Sequence, residues 1–196
     1  ALKILKKYEK AAGHPLYLIE DAAYRELSFS DKDTPSALSF HNAANRVVYT
    51  STYSKPFATG IRVGYGFLPE PLFTAAARVK GNHDFGTANF LQQILSSAVA
   101  NESYEKHVQK LRKRYASKAH AMTRACKKHF PEKIKWEIPE GGLYLWANLP
   151  TKVKTDMRSK LFAESLKQKV LYVPGNLCYC DDSTRRKPNH QMRLSY

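Results

Sequence analysis

Apolar positions along the chain recur with two periods, and the switch between them predicts an α/β layer followed by a smaller α+β unit. Leu2, Leu5 and Tyr8 fall near one helical face with lysines elsewhere, so residues 1–12 read as the end of an amphipathic helix. Gly13 stops it and Pro15 prevents its resumption. The apolar run 16–19 ends in Glu20-Asp21 and predicts a buried strand whose carboxyl end delivers an acid. A polar stretch, 28–45, reads as loop. Residues 46–50 and 61–68 predict two further buried strands. Helices follow over 69–80 and 89–104, the second feeding a long polar helix over 107–129 that Pro131 ends. Short apolar strands alternating with helices predict a mostly parallel sheet covered by helices.

Beyond Pro131 the pattern changes. Residues 134–138 alternate, Gly141-Gly142 turns, and 143–149 returns as a strand. A helix over 158–168 and strands over 170–173 and 191–195 complete a small α+β unit. The expected division is near residue 103, giving domains 1–103 and 104–196. The chain starts inside a helix and ends in mid-strand, so both ends read as cut.

Composition narrows the class. The 196 residues, 43% hydrophobic and 25% charged, fit an ordinary globular protein, and no stretch is long and apolar enough to span a bilayer. No signal-peptide pattern opens the chain, which makes a cytoplasmic location the default. Three cysteines, Cys126, Cys178 and Cys180, do not make a disulfide framework. The net charge of +15 admits a nucleic-acid surface, a solvated lysine-rich surface, or a fragment whose acidic complement lies elsewhere. Much of it lies in 106–128, spread around a helix without interleaved stacking aromatics, which argues against nucleic acid. Cys178-Tyr179-Cys180 would put two thiols on one face of a strand, but two ligands do not make a zinc site, so no metal is expected.

Candidate chemistry begins with Lys55, after a strand, in Ser51-Thr52-Tyr53-Ser54-Lys55. A lysine in a dry pocket near another cation loses proton affinity, and its amine can attack a carbonyl to form a Schiff base. Thr52, Ser54 and Arg62 could together hold a phosphate, with Gly60 letting the backbone turn between Lys55 and Arg62. Asp21 and Tyr24 place an acid at a strand end and a phenol three residues on; an N-capping Asp beside a packed Tyr is the plainer reading. Arg193 on a strand can grip a carboxylate through two parallel hydrogen bonds, though locally it reads equally as a surface arginine on an edge strand.

The order of these elements carries more than any one of them. Asp21-x-x-Tyr24, then Ser51 to Lys55 with Gly60-Ile61-Arg62-Val63-Gly64, then Gly141-Gly142-Leu143-Tyr144-Leu145-Trp146 and Val173-Pro174-Gly175, then Arg193-Leu194-Ser195, resembles the class I/II aminotransferases of pyridoxal-phosphate (PLP) fold type I. It is most similar to the subgroup of aromatic and 2-aminoadipate aminotransferases and MocR-type regulators. The resemblance implies the C-terminal part of the large PLP-binding domain plus a truncated small domain. It implies pyridoxal 5'-phosphate as cofactor on Lys55, Asp21 at the pyridine nitrogen, and Tyr24 at the 3-oxygen. It places Thr52, Ser54 and Arg62 at the phosphate and Arg193 at the substrate carboxylate. An amino group would pass between an amino acid and a 2-oxo acid, in a homodimer. Cys178 departs from the family, which commonly has an aromatic there. The family's N-terminal part, with its glycine-containing phosphate loop, stacking aromatic and asparagine, is not in this sequence, so the fragment alone should not form a complete site. The alternatives are a transcription regulator with an aminotransferase-like sensor domain, or a PLP-dependent lyase on the same fold.

Overall fold

A computed structural model describes residues 1–30 and 34–196. Residues 31–33 of the expected polar loop lie outside the described residues. The first helix, α1 (Leu2–Ala12), ends where Gly13 turns left-handed at φ 70° and donates its N–H to the Glu9 carbonyl. Glycine reaches that conformation without a Cβ clash.

Strand β1 (Leu18–Asp21) begins later than the apolar run suggests, and it is not buried: Ile19 is 69% exposed. The face carrying Ile19 is not covered among the described residues. β1 belongs to a three-stranded sheet ordered β1-β2-β3, with β2 at Val47–Thr52 and β3 at Gly64–Phe67. Central β2 buries Val47, Val48 and Tyr49. The expected parallel pairing holds for β1 and β2, from Leu18↔Val47 to Asp21↔Thr50. β3 runs antiparallel to β2, and all four of its residues are exposed where a buried strand was expected, because nothing among the described residues covers them.

Helices α2 (Glu70–Asp84), α3 (Asn89–Ala100) and α4 (Ser103–His129) follow. The expected run from 89 to 104 is broken because the Asn101 carboxamide oxygen accepts the Ser103 N–H at 3.0 Å and its hydroxyl at 2.6 Å. Such a side chain offers the backbone an alternative to the helix, and Glu102 turns left-handed beside it. Ile61, Val63, Leu95, Ala98, Tyr104 and Val108 form the first core.

The chain divides into two compact units, Ala1–Arg112 and Lys113–Tyr196, the division falling within α4. In the second, β4 (Lys135–Trp136), β5 (Tyr144–Asn148), β6 (Val173–Pro174) and β7 (Gln191–Ser195) form an antiparallel sheet ordered β4-β5-β7-β6. Residues along β5 alternate between half-buried and buried, as a strand covered on one face should. Helix α5 (Lys160–Lys167) starts where Ser159 Oγ accepts the Phe162 N–H at 3.2 Å. Cys126, Leu145, Ala147, Leu149, Tyr172 and Met192 make the second core. At Gly175 a Cβ would lie 2.6 Å from that of Gln191, so only glycine lets this turn close on β7. The stretch expected as a strand around Cys178 is instead a 3-10 turn, Gly175–Cys178, running into coil, because Gly175 diverts the chain away from the sheet.

Candidate active site

Parallel pairing puts the carboxyl ends of β1 and β2 on the same side of the sheet, and antiparallel β3 starts there. Asp21, the turn carrying Ser54 and Lys55, and Arg62 therefore belong to one sheet end. The carboxyl ends of parallel strands are where α/β sheets bind ligands.

The Lys55 turn is tied down by backbone and hydroxyl bonds. Tyr53 N–H donates to the Val63 carbonyl at 3.0 Å, and Phe57 and Ala58 N–H groups donate to the Tyr53 carbonyl at 3.0 and 3.2 Å. The Thr52 hydroxyl donates to the Val63 carbonyl at 3.2 Å and accepts the Ser54 N–H at 3.1 Å. Its proton is thus directed into the loop. Pro56 is buried, and Lys55 is half-buried with Nζ 5.7 Å from the centroid of the Tyr24 ring. Among the described residues, the Lys55 amine has no hydrogen bond or ion pair.

Arg62 is exposed and left-handed at φ 50°, a conformation uncommon for residues with a Cβ. Its Nη1 donates to Ser54 Oγ at 3.4 Å and to the Thr59 carbonyl at 3.2 Å. Arginine and serine are thus brought together.

Glu20 and Asp21 divide their tasks by strand alternation. Glu20 points to the following loop, accepting Ser36 Oγ at 2.8 Å and Ala37 N–H at 2.7 Å, with Arg25 at 3.7 Å. Asp21 is exposed on the opposite face, and its Oδ1 accepts the Ala23 N–H at 3.1 Å, turning the chain toward Tyr24.

In the second unit, Arg193 lies on β7, paired to Trp146 of β5 and Val173 of β6. The strand is therefore interior, not an edge. The guanidinium carbon sits 4.2 Å over the Tyr144 ring, and its buried Nε has no hydrogen-bond partner. A guanidinium nitrogen buried without an acceptor is costly unless a ligand supplies one. Trp146 meets Tyr179 edge-on at 6.5 Å, and Gly142 is left-handed at φ 72°.

The sequence alone did not reveal the supports of this site. Ser51 Oγ donates to the Ala22 carbonyl at 3.4 Å, joining the end of β2 to the Asp21 turn. The Tyr104 hydroxyl donates to the Glu26 carboxylate, and Arg112 Nε donates to the Glu26 carbonyl at 2.7 Å. Burial, and then the Glu26 hydrogen bond, hold the Tyr104 phenol well above the ordinary tyrosine range. Glu26 and Tyr104 are 78 positions apart, so no local pattern links them. The available signal is that a buried tyrosine needs a partner for its hydroxyl.

A half-buried amine on the same turn as a serine that a guanidinium reaches suits a phosphorylated carbonyl compound, and a stacked arginine with an unmatched nitrogen suits a carboxylate. The chain is 30% identical over 189 residues to aromatic-amino-acid aminotransferase 1 of Thermococcus litoralis, covering 96% of this chain and 43% of that one. It is 31% identical over 162 residues to the HTH-type transcriptional regulator NorG of Staphylococcus aureus, covering 83% of this chain and 36% of the regulator. The crystal structure of the alpha-aminoadipate aminotransferase LysN from Thermus thermophilus, complexed with N-(5'-phosphopyridoxyl)-L-leucine, superposes with a TM-score of 0.80 at 26% identity, covering 99% of this chain and 48% of that one. The chain thus spans less than half the length of each of these relatives. The family model for aminotransferase class I and II matches residues 3–195, and the chain belongs to that family.

Proposed function

We propose that this chain forms the lysine-bearing part of an enzyme that transfers an amino group between an amino acid and a 2-oxo acid, using pyridoxal 5'-phosphate. The observation that carries this reading is the sheet end itself, where Lys55 lies against Tyr24 and Arg62 reaches Ser54. These residues fit the cofactor's chemistry: a half-buried amine for its carbonyl, a guanidinium and hydroxyls for its phosphate, and an exposed carboxylate for its ring nitrogen. When bound, pyridoxal phosphate supplies an electron sink for the substrate α-carbon.

Lys55 would hold the cofactor through its amine and would be placed to carry the proton taken from the substrate α-carbon. Its packing against Tyr24 limits where the amine can swing. Tyr24 would serve the 3-oxygen, and Asp21, exposed at the end of β1, would keep the ring nitrogen protonated. Ser54 and Arg62 would bind the phosphate, with Thr52 holding their loop and able to join them after a hydroxyl rotation. Arg193 would offer its unmatched nitrogen to the substrate carboxylate. The same reading makes the full-length protein a cytoplasmic homodimer. No described helix is long and apolar enough to cross a membrane.

A second reading has a specific observation behind it, the likeness to a helix-turn-helix regulator. There Lys55 and the cofactor would act as a sensor rather than a catalyst. The test is to reduce the full-length protein with borohydride in the presence of pyridoxal phosphate and map the adduct, then to assay transamination. An adduct on Lys55 with turnover supports the enzyme. An adduct without turnover, together with specific retardation of DNA by the full-length protein, supports the regulator. No adduct on Lys55 overturns both.

A further inference from the structure

We propose that Cys178 and Cys180 form a reversible dithiol–disulfide pair that reacts with hydroperoxides. Both thiols are exposed and free. The residue between them is anchored: the Tyr179 hydroxyl donates to Gln191 Oε1 at 2.7 Å, and its ring meets Trp146 edge-on at 6.5 Å. Tyr179 is extended, at φ −106° and ψ 140°. The extended torsions of Tyr179 set the separation of the Cα atoms on either side of it. Cys178 and Cys180 line one cavity of about 710 Å³ together with Tyr179, Arg185, Arg186 and Lys187.

The spacing suits a disulfide. Two residues of extended chain separate Cα atoms by about 6.5 Å, near the upper end of the roughly 4.4–6.8 Å that a disulfide tolerates. A slight bend brings them toward the commonest separation of about 5.5–6 Å. Among the described residues, no main-chain N–H of residues 179–181 is hydrogen-bonded, in contrast to the laddered strands behind them. The acids of the loop are occupied elsewhere, Asp181 with Lys187 at 2.8 Å and Asp182 with Arg185 at 2.7 Å, so neither is held against a thiol.

The chemistry balances with a hydroperoxide as oxidant. One sulfur attacks the terminal peroxide oxygen, the O–O bond breaks, and a sulfenic acid forms as water or an alcohol leaves with the thiol proton. The second sulfur then attacks the sulfenic sulfur. The S–S bond forms, the S–O bond breaks, and a second water leaves. Two electrons pass from the sulfur pair to the peroxide. A disulfide in an exposed loop is open to attack by a small dithiol, which returns both thiols. Cys126 is buried, with its thiol pushed upward by burial, and takes no part.

The test uses the full-length protein, reduced and then exposed to about equimolar hydrogen peroxide, alkylated and mapped by mass spectrometry. The expected product is a single peptide holding Cys178 and Cys180, lighter by two hydrogens, unalkylated, and restored by dithiothreitol. Cys178→Ser and Cys180→Ser should each abolish that mass loss and leave a dimedone-trappable sulfenic acid on the remaining thiol. Full alkylation of both cysteines after peroxide, sulfinic or sulfonic acids as the main products, or a disulfide between molecules would each overturn the proposal. The readout needs neither cofactor nor turnover, so it stands or falls apart from the aminotransferase reading.

Discussion

Lys55 and Arg193 are cations offered by two different sheets, and they are held in opposite ways. Lys55 sits on a turn beyond its strand, fixed by loop hydrogen bonds from Thr52 and Tyr53. Arg193 sits within a strand laddered on both sides, its guanidinium stacked on Tyr144. A turn at a sheet end lets groups from several strands converge, which suits a cofactor needing many contacts. A strand interior fixes one group against one register, which suits a single two-pronged contact. In the first unit the lysine is placed by several weak ties, and in the second the arginine is placed by one sheet.

That contrast can be broken most severely at the lysine. Lys55→Ala should abolish the borohydride-fixed adduct and slow proton transfer by at least about a hundredfold, while circular dichroism stays unchanged. Arg193→Ala should instead spare the adduct and weaken substrate binding by about 2–5 kcal/mol if its carboxylate contact is desolvated, read as kcat/KM with the amino acid. Gly175→Ala tests the sheet without touching a charge. A Cβ driven into Gln191 should cost about 1–3 kcal/mol of stability, seen as a lower urea midpoint for the second unit, with the adduct retained. Arg62→Gly should separate strain from grip: relief of the left-handed backbone is worth about 1 kcal/mol, so the thermal midpoint should hold or rise while cofactor dissociation accelerates.

The smallest effect concerns alkaline pH. The folded Tyr104 phenol lies above its unfolded value of 10.0, so its contribution is fully present below about pH 10 and is lost as pH rises toward the folded value. Tyr104→Phe should lower stability by about 0.5–1.5 kcal/mol at neutral pH and flatten the alkaline decline, measured by urea midpoints against pH.

Periodicity made the elements of this fold legible. Residues 2–12, 47–52 and 191–195 were each marked by amphipathic spacing or an apolar run. Burial was not legible at β1 and β3, because it depends on what packs against each face of the sheet, and that is a long-range property. The break at Asn101 turned on one side chain competing with the helix. For the site, residue types raised Lys55, Arg62 and Arg193 as candidates, and the order of the motifs, by its resemblance to the aminotransferases, gave them roles. The Arg62–Ser54 contact and the unmatched Arg193 nitrogen needed coordinates. The Glu26–Tyr104 tie was out of reach, since chemistry joining residues 78 positions apart leaves no local trace.

The place of β7 has a consequence for the nascent chain. β7 is the late strand of its sheet and also an interior one, inserted between β5 and β6. Until residues 191–195 leave the ribosome, β5 and β6 have no shared partner, and the inner edge of β5 presents unpaired amides and carbonyls. A bare strand edge is a template for wrong pairing. The second unit therefore passes through a sticky interval during synthesis, when premature termination or a slow stretch of translation before residue 191 would favour aggregation over assembly.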